Sequence, residues 1–468
     1  MVSFSTVDII VLVVFFAIVL FIGFIPKSNS GNQSEEYLLS GRKVGLILFI
    51  LTNVATWYGG ILGVGEFTYR YGLVSWFTQG FPYYVFAILF ALFFAKKIRQ
   101  ASLYTIPDKL KETYGKKVAI AASVIIFLLV SPAPYLLMIA NLLSLIFNIA
   151  LFPSLLIGVL LSAVYLFKGG YKSDLFTDAF EFFVMFLGFI IIIYIANQSF
   201  GGVDYLEKNL PGSHLKLTGN TSVAFITVWF LIALWTFTDP GFHQRCYAAK
   251  TGNVARNGII ISVLLWAVFD FLTTTTGLYA RAALPNLNNP IYAFPLLAEK
   301  LLGPGIKGIF YAALFATILS TLNSYIFLSA TTFGRDFLFP LKPESNEKDL
   351  THYTRLGLVV TIIISVPIAY YVKSIIQLWY LIGSICIPGI ILLIIGTYYP
   401  KMKVNKSFAL AEIIVGIVGS AGWFFIRANF FENSSLNVIE PMIVGLFFSF
   451  GIHIAGIINR QKPEQAVN

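Results

Sequence analysis

Residues 53–60, Asn-Val-Ala-Thr-Trp-Tyr-Gly-Gly, and residues 236–241, Thr-Phe-Thr-Asp-Pro-Gly, interrupt two long apolar segments. The first segment covers residues 44–66 and the second covers residues 222–245. Lipid cannot satisfy the backbone N–H and C=O groups that a helix break frees, so these groups must line a cavity or bind something. Interrupted helices at matching positions of two halves indicate the binding site of a transporter.

The rest of the chain is equally apolar, with 57% hydrophobic residues, 12% charged residues and a mean hydropathy of +0.81. Because a membrane helix needs roughly 20 apolar residues, we predict about thirteen spans. Their expected positions are 8–25, 44–66, 72–95, 118–148, 150–167, 175–197, 222–245, 256–283, 306–330, 353–373, 375–398, 407–427 and 437–458. We therefore expect an all-α integral membrane protein with a single domain, residues 1–468.

The basic residues indicate the topology. With the N-terminus outside, the inward loops and helix ends hold 24 of the 32 Lys and Arg residues and the outward ones hold 8. This distribution follows the positive-inside rule, so we predict an outside N-terminus and a cytoplasmic C-terminus. The net charge of +10 then needs no nucleic-acid partner. The first span lacks the basic start of a signal peptide, so we expect it to be retained.

Spans two to eleven form ten helices, residues 44–398, in which the interrupted segments are the first and the sixth. Five helices followed by five, each half starting with a broken helix, is the layout of an inverted-repeat transporter. One peripheral helix, 8–25, would precede this core and two, within 407–458, would follow it. The alternative is that both breaks are ordinary kinks, since Gly and Pro are common in membrane helices. Their spacing favours the repeat.

A hydroxyl stripe lies inside the apolar span 306–330. Its members recur at helical spacings of three and four residues and are Thr317, Ser320, Thr321 and Ser324. One role is to join helices or to bond the carbonyl one turn earlier. The other is to bind a small hard cation, which prefers oxygen ligands, together with carbonyls near Leu51 and Val54. The spacing leaves both roles open.

Acidic residues inside a membrane are costly and are therefore functional candidates. The candidates are Glu66, Asp178, Glu181 and Asp270. Asp178 and Glu181 lie on one helix face, so like-charge repulsion could keep one protonated, as a proton relay needs. Alternatively they pair with Lys168 or Lys172.

The second break carries its own polar residues. Asp239 is placed to cap the half-helix that follows it, and Arg245 is expected to form a gate salt bridge or to anchor a helix end. His243 could titrate near neutral pH, although a lone His is more often structural.

Cys246 and Cys386 indicate neither a metal site nor a disulfide. The sequence has no nucleophile elbow, Walker motif or zinc-spaced set, so we do not expect an enzyme.

The chain resembles the sodium:solute symporter family, which contains sodium–glucose, proline and pantothenate carriers. The resemblance covers residues 8–458 and is carried by segments in a fixed order, at 36–42, 53–73, 102–108, 169–178, 240–245, 277–280 and 313–324. It implies the ten-helix inverted-repeat core and alternating access driven by sodium.

The resemblance also implies a sodium site between the first and eighth core helices. Matched by position, its ligands are the carbonyls of Leu51, Val54 and Ala313 and the side chains at Ala316 and Thr317. Ala316 stands where the family typically has Ser, so one hydroxyl is missing. In addition, Glu181 stands where Gln is usual. Both departures leave room for proton coupling.

The family's solute pocket is lined by the two broken helices and by core helices two, seven and ten. The residues of this chain that the resemblance places there are Asn53, Tyr58, Gln79, Asp239, His243, Trp379 and Ser384. They mix amide, phenol and indole groups, which suit a sugar, an amino acid or a carboxylate.

We therefore predict a symporter in the plasma (inner) membrane that moves a small polar organic solute with sodium. The alternatives are proton-coupled or cation-independent transport and, in another class, a solute-binding membrane sensor. Asp178 and Glu181 are the predicted ion pathway. The expected partners are the solute and the lipid bilayer, and the sequence leaves the oligomeric state open.

Overall fold

The computed structural model describes residues 2–26, 33–342, 349–372, 375–431, 436 and 439–461, and most of these are helical. The helices of the first half are α1 (Thr6–Phe24), α2 (Gln33–Leu39), α3 (Leu46–Ala55), α4 (Ile61–Tyr71), α5 (Val74–Gln79), α6 (Phe81–Phe90), α7 (Lys96–Ala101), α8 (Ile106–Tyr114), α9 (Lys116–Leu129), α10 (Ala133–Phe147), α11 (Leu151–Ala163), α12 (Leu166–Gly169), α13 (Tyr171–Phe200) and α14 (Val203–Asn209).

The second half begins at the second interrupted segment. Its helices are α15 (Val223–Ile232), α16 (Trp235–Thr238), α17 (Pro240–Ala248), α18 (Gly252–Ala283), α19 (Ala293–Leu301), α20 (Ile306–Thr331), α21 (Asp349–Tyr371), α22 (Ile375–Tyr398), α23 (Lys406–Phe430) and α24 (Pro441–Gln461). Across the described residues, 12 helices are long and apolar enough to cross a membrane, or 13 with the bent pair Leu46–Tyr58 and Ile61–Tyr71. The prediction of an all-α membrane protein is confirmed.

The first interrupted segment bends by 56° between Leu46–Tyr58 and Ile61–Tyr71. Two glycines at the bend allow neighbouring helices to approach closely. A Cβ at Gly59 would lie 2.2 Å from Thr321 Cβ, and a Cβ at Gly60 would lie 2.2 Å from the Trp379 ring. These glycines therefore bring α20 and α22 against the break.

The second interrupted segment is broken at Asp239, whose backbone is extended. Its carboxylate caps α17, because Oδ1 accepts hydrogen bonds from Gly241 N at 2.6 Å and Phe242 N at 3.4 Å. Pro240 begins α17, where its missing N–H costs nothing. The predicted cap is confirmed, and the break places a carboxylate at membrane depth.

A third interruption was not predicted. The expected span 118–148 is confirmed as one candidate span, Lys116–Phe147, but its helix is interrupted at residues 130–132, between α9 and α10. Pro132 and Pro134 explain the break, since proline lacks the N–H that continues a helix. The new helix start places Tyr135 one turn or less from the break.

Helix α20 lies at the centre of the molecule: within the span Ile306–Leu341, 89% of the apolar stretch is buried, against 28% in α1 and α23 and 33% in α24. Small residues make this burial possible. A Cβ at Gly188 of α13 would lie only 2.3 Å from Ala313 Cβ of α20. The chain thus packs α13 and the first break directly around α20.

Candidate functional site

A cavity of about 140 Å³ lies between the two breaks. Aromatic residues form the largest group in its wall: Trp57, Tyr58, Trp76, Tyr83, Tyr135, Trp229, Trp235, Phe242, Tyr325 and Trp379. The polar and charged residues of the wall are Asn53, Thr56, Ser75, Gln79, Asp239, Arg245, Asp270 and Thr274. An apolar pocket with a few converging polar groups is the usual form of a small-molecule site.

The structure brings five of the seven predicted solute residues to this cavity. They are Asn53, Tyr58, Gln79, Asp239 and Trp379. His243 and Ser384 are not among the residues that line it. His243 is buried behind α17, with Nε2 3.1 Å from the carbonyl oxygen of Phe237 and its ring against Phe90 and Tyr398. We therefore leave His243 and Ser384 out of the candidate solute site.

Sequence reasoning did not single out most of the aromatic wall. Tyr325 follows Thr321 by four residues, so the hydroxyl stripe of α20 already pointed to it. Tyr135 could not be found in this way, because the break before α10 was not predicted. Its ring lies 5.0 Å from that of Tyr325 and 6.2 Å from that of Trp379.

The hydroxyl stripe of α20 contacts the first break. Ser320 Oγ donates to the Ala55 carbonyl at 2.9 Å, and Thr321 Oγ1 donates to the Thr56 carbonyl at 2.6 Å. Thr317 Oγ1 donates to the Ala313 carbonyl one turn earlier at 2.6 Å. The stripe therefore joins helices, as one of the two predictions had it, and it includes Thr317, one of the predicted sodium ligands.

Three acids follow one face of α13 at spacings of four and three residues: Asp174, Asp178 and Glu181, all fully buried. Asp178 Oδ2 lies 3.6 Å from Arg245 Nη2 and accepts a hydrogen bond from Thr56 Oγ1 at 2.9 Å. Neither carboxylate oxygen of Glu181 has a hydrogen-bond partner among the described residues.

The alternative that Lys168 or Lys172 pairs with these acids was wrong. Lys172 Nζ lies 3.4 Å from Glu36 Oε1, and Lys168 Nζ donates to the Phe24 carbonyl at 3.4 Å. The cation that pairs with Asp178 is Arg245, and this pairing agrees with the salt bridge predicted for Arg245. Sequence reasoning missed Asp174, although its position one turn before Asp178 was a readable signal.

Residues 37–416 match the family described as "SSF: Sodium:solute symporter family". The chain is 25% identical over 419 residues to a sodium/pantothenate symporter of Haemophilus influenzae, covering 84% of each protein. It is also 25% identical over 422 residues to a high-affinity choline transporter of Caenorhabditis elegans, covering 84% of this chain and 72% of the relative.

Among solved structures, a sodium-coupled sialic acid symporter in a substrate-bound, outward-open state aligns with a TM-score of 0.80. The alignment covers 98% of both chains at 18% identity, so it supports the fold alone. The family match spans most of the chain and favours sodium-coupled transport over the proton-coupled and sensor alternatives. This chain belongs to the sodium:solute symporter family, the membrane carriers that move a small solute with sodium.

Proposed function

We propose that the cavity between the two breaks is the solute site of this symporter and that sodium binds beside it. The proposal rests on one observation: residues of the first break both line the cavity and contact the hydroxyl groups of α20. Asn53 and Tyr58 line the cavity, while the carbonyls of Ala55 and Thr56 contact the hydroxyls of α20. One short segment thus separates solute from cation.

For sodium we propose the carbonyl oxygens of Leu51, Val54 and Ala313 and the hydroxyl of Thr317. Oxygen ligands suit a hard cation. Because Thr317 Oγ1 gives its proton to the Ala313 carbonyl, its lone pairs remain available to a cation. Ala316 supplies no oxygen, so this site has one side-chain ligand where the family pattern expects two.

Coupling follows from this arrangement. An ion that orders residues 51–56 also fixes Asn53 and Tyr58 for the solute, and the solute in turn favours the ion-binding form. Such coupling is reciprocal, because each ligand changes the affinity of the other by the same factor. Neither ligand alone would then stabilise the loaded state fully.

We further propose that the N-terminus lies outside, that the C-terminus is cytoplasmic and that the protein resides in the plasma membrane. The cavity wall then extends outward to Ser75, near the outer end of α5. Arg245, bonded to Asp178 and Thr56, closes its cytoplasmic side. Sodium would leave past Asp178 and Glu181 when this cluster opens.

The test is uptake of a solute library into proteoliposomes under separate sodium and proton gradients. We expect an inward sodium gradient to drive accumulation and a pH gradient alone to leave it unchanged. Uptake that follows pH and ignores sodium would refute the coupling. Uptake driven by sodium but insensitive to Asn53→Ala and Gln79→Ala would place the solute outside this cavity.

A further inference from the structure

Five aromatic rings surround one end of the cavity and come from five different parts of the fold. Tyr135 of α10 contacts Tyr325 of α20 at 5.0 Å and Trp379 of α22 at 6.2 Å between ring centroids. Trp57, at the first break, contacts Tyr83 of α6 at 4.9 Å. All five line the cavity, so electron-rich ring surfaces converge there.

The carboxylate of Asp239 lies at the same end. Tyr325 donates to Asp239 Oδ2 at 3.2 Å, and the Tyr135 ring packs against the ring of Tyr325. Oδ1 is used by the α17 cap. All of these partners are neutral. In the described part of the chain, no cationic side chain lies within 4.0 Å of Asp239.

Arg245 lines the cavity but is directed to other partners. Its Nη2 lies 2.5 Å from Thr56 Oγ1 and 3.6 Å from Asp178 Oδ2, and Nη1 donates to the Gly241 carbonyl at 3.3 Å. A second carboxylate of the wall, Asp270, accepts a hydrogen bond from Tyr84 and likewise lacks a cationic partner among the described residues. The wall therefore offers two carboxylates that have no cationic partner within 4.0 Å among the described residues, and a cationic ligand can fill that role.

Aromatic faces combined with a carboxylate recognise alkylated ammonium groups, because the ring quadrupole attracts a cation that donates few or no hydrogen bonds. We propose that the solute is a small substituted ammonium compound, with its cationic group among Tyr83, Tyr135, Tyr325 and Trp379 and beside Asp239. The proposal rests on the cavity being the solute site of the symporter.

The other polar groups of the wall indicate which functional groups the solute has besides its ammonium group. Asn53 Nδ2, Gln79 Nε2 and Trp235 Nε1 are buried donors without a partner in the described residues. Unsatisfied buried donors are costly, so an acceptor on the solute would stabilise them. A hydroxyl or carboxylate oxygen at the far end of the ammonium compound fits this need. The cavity is also smaller than the roughly 300–1,000 Å³ of drug-sized sites, which favours a small molecule.

The test is calorimetric binding to the purified full-length protein in sodium buffer. The probes are choline, glycine betaine, glucose and 3,3-dimethyl-1-butanol, an uncharged isostere of choline. We expect choline or betaine to bind about tenfold or more tightly than the isostere. Equal affinity for choline and the isostere, or binding of glucose with no ammonium compound, would overturn the proposal. Glucose carried with sodium would still leave the proposed solute cavity intact.

Substitutions at Asp239 and Tyr135 test whether these residues bind the ammonium group of the solute. Asp239→Asn removes the charge but keeps an oxygen that caps α17, so a folded protein should lose about tenfold in ammonium affinity and little for the isostere. Tyr135→Leu should weaken ammonium binding as well. Trp423→Leu on the peripheral helix α23 is the control and should bind as the parent does. Unchanged ammonium affinity in Asp239→Asn would contradict the assignment.

Discussion

Arg245 and Asp178 form a buried ion pair, 3.6 Å between Nη2 and Oδ2, with side chains 4% and 0% exposed. Thr56 of the first break joins them, since its hydroxyl lies 2.5 Å from Arg245 Nη2 and 2.9 Å from Asp178 Oδ2. The pair thus ties α17 and α13 to the first break. With the topology proposed above, a movement that opens the cavity to the cytoplasm would separate these groups.

Removal of Arg245 should destabilise the protein more than removal of Asp178. Arg245→Gln leaves Asp178 and the nearby Asp174 without a cation in this cluster, and an uncompensated buried charge costs about 3–5 kcal/mol. In Asp178→Asn, Arg245 keeps Thr56, Ser324 and the Gly241 carbonyl. Melting temperatures in detergent compare the variants, with Lys109→Gln in a surface pair as the control. Equal losses for the two variants would contradict this account.

Substitutions at the proposed sodium site should move the half-saturating sodium concentration in opposite directions. Thr317→Ala removes a ligand and should raise it about tenfold, whereas Thr317→Ser keeps the hydroxyl and should change it little. Ala316→Ser adds the missing hydroxyl and should lower it. Sodium titration of solute uptake measures all three. An unchanged value in Thr317→Ala would place the cation elsewhere.

Gly59→Ala should impair transport through a steric clash. The new Cβ would lie 2.2 Å from Thr321 Cβ, so α20 and the first break must separate, and overpacking of this kind costs about 1–3 kcal/mol. The hydrogen bond from Thr321 to the Thr56 carbonyl would be disturbed as well. We expect a lower melting temperature and reduced uptake. Gly451→Ala, where a Cβ would meet nothing within 4 Å, is the matched control and should behave as the parent.

Glu299 links the N-terminal segment to the start of α20 in a pH-dependent manner. Burial opposes ionisation, but hydrogen bonds from Ser3 and the charge of Lys307, 2.9 Å away, outweigh it and hold the pKa of Glu299 below its ordinary value. A lowered pKa in the folded state stabilises the protein above the unfolded pKa, and this contribution is lost as pH falls through the folded value.

Glu299→Gln should therefore lower the melting temperature at pH 7, and the difference from the parent should shrink as the pH falls below about 4.5. Thermal scans between pH 7 and pH 3 measure it. Glu112→Gln, in a solvent-exposed pair with Lys109, is the control and should have little effect, since exposed pairs contribute about 0–1 kcal/mol. A difference that grows towards low pH would reverse the assigned sign.

Sequence patterns were sufficient to predict those structural features that depend on a single segment of the chain. The apolar spans, the Gly59–Gly60 break and the Asp239 cap are local, because hydropathy, missing side chains and a short polar side chain act within a turn or two. The break before Tyr135 was also local, in Pro132 and Pro134, but the uninterrupted hydropathy of residues 118–148 concealed it.

The sequence by itself determined that this chain is a helical membrane carrier with two broken helices and a hydroxyl stripe inside one span. Only the tertiary structure decided which partners these groups meet. Arg245 pairs with Asp178, which lies 67 positions earlier in the chain, and Asp239 accepts a hydrogen bond from Tyr325 of α20, which lies 86 positions later. Helix packing brings such groups together through contacts of side chains distant in sequence, so no local pattern records which charge compensates which, or which rings surround it.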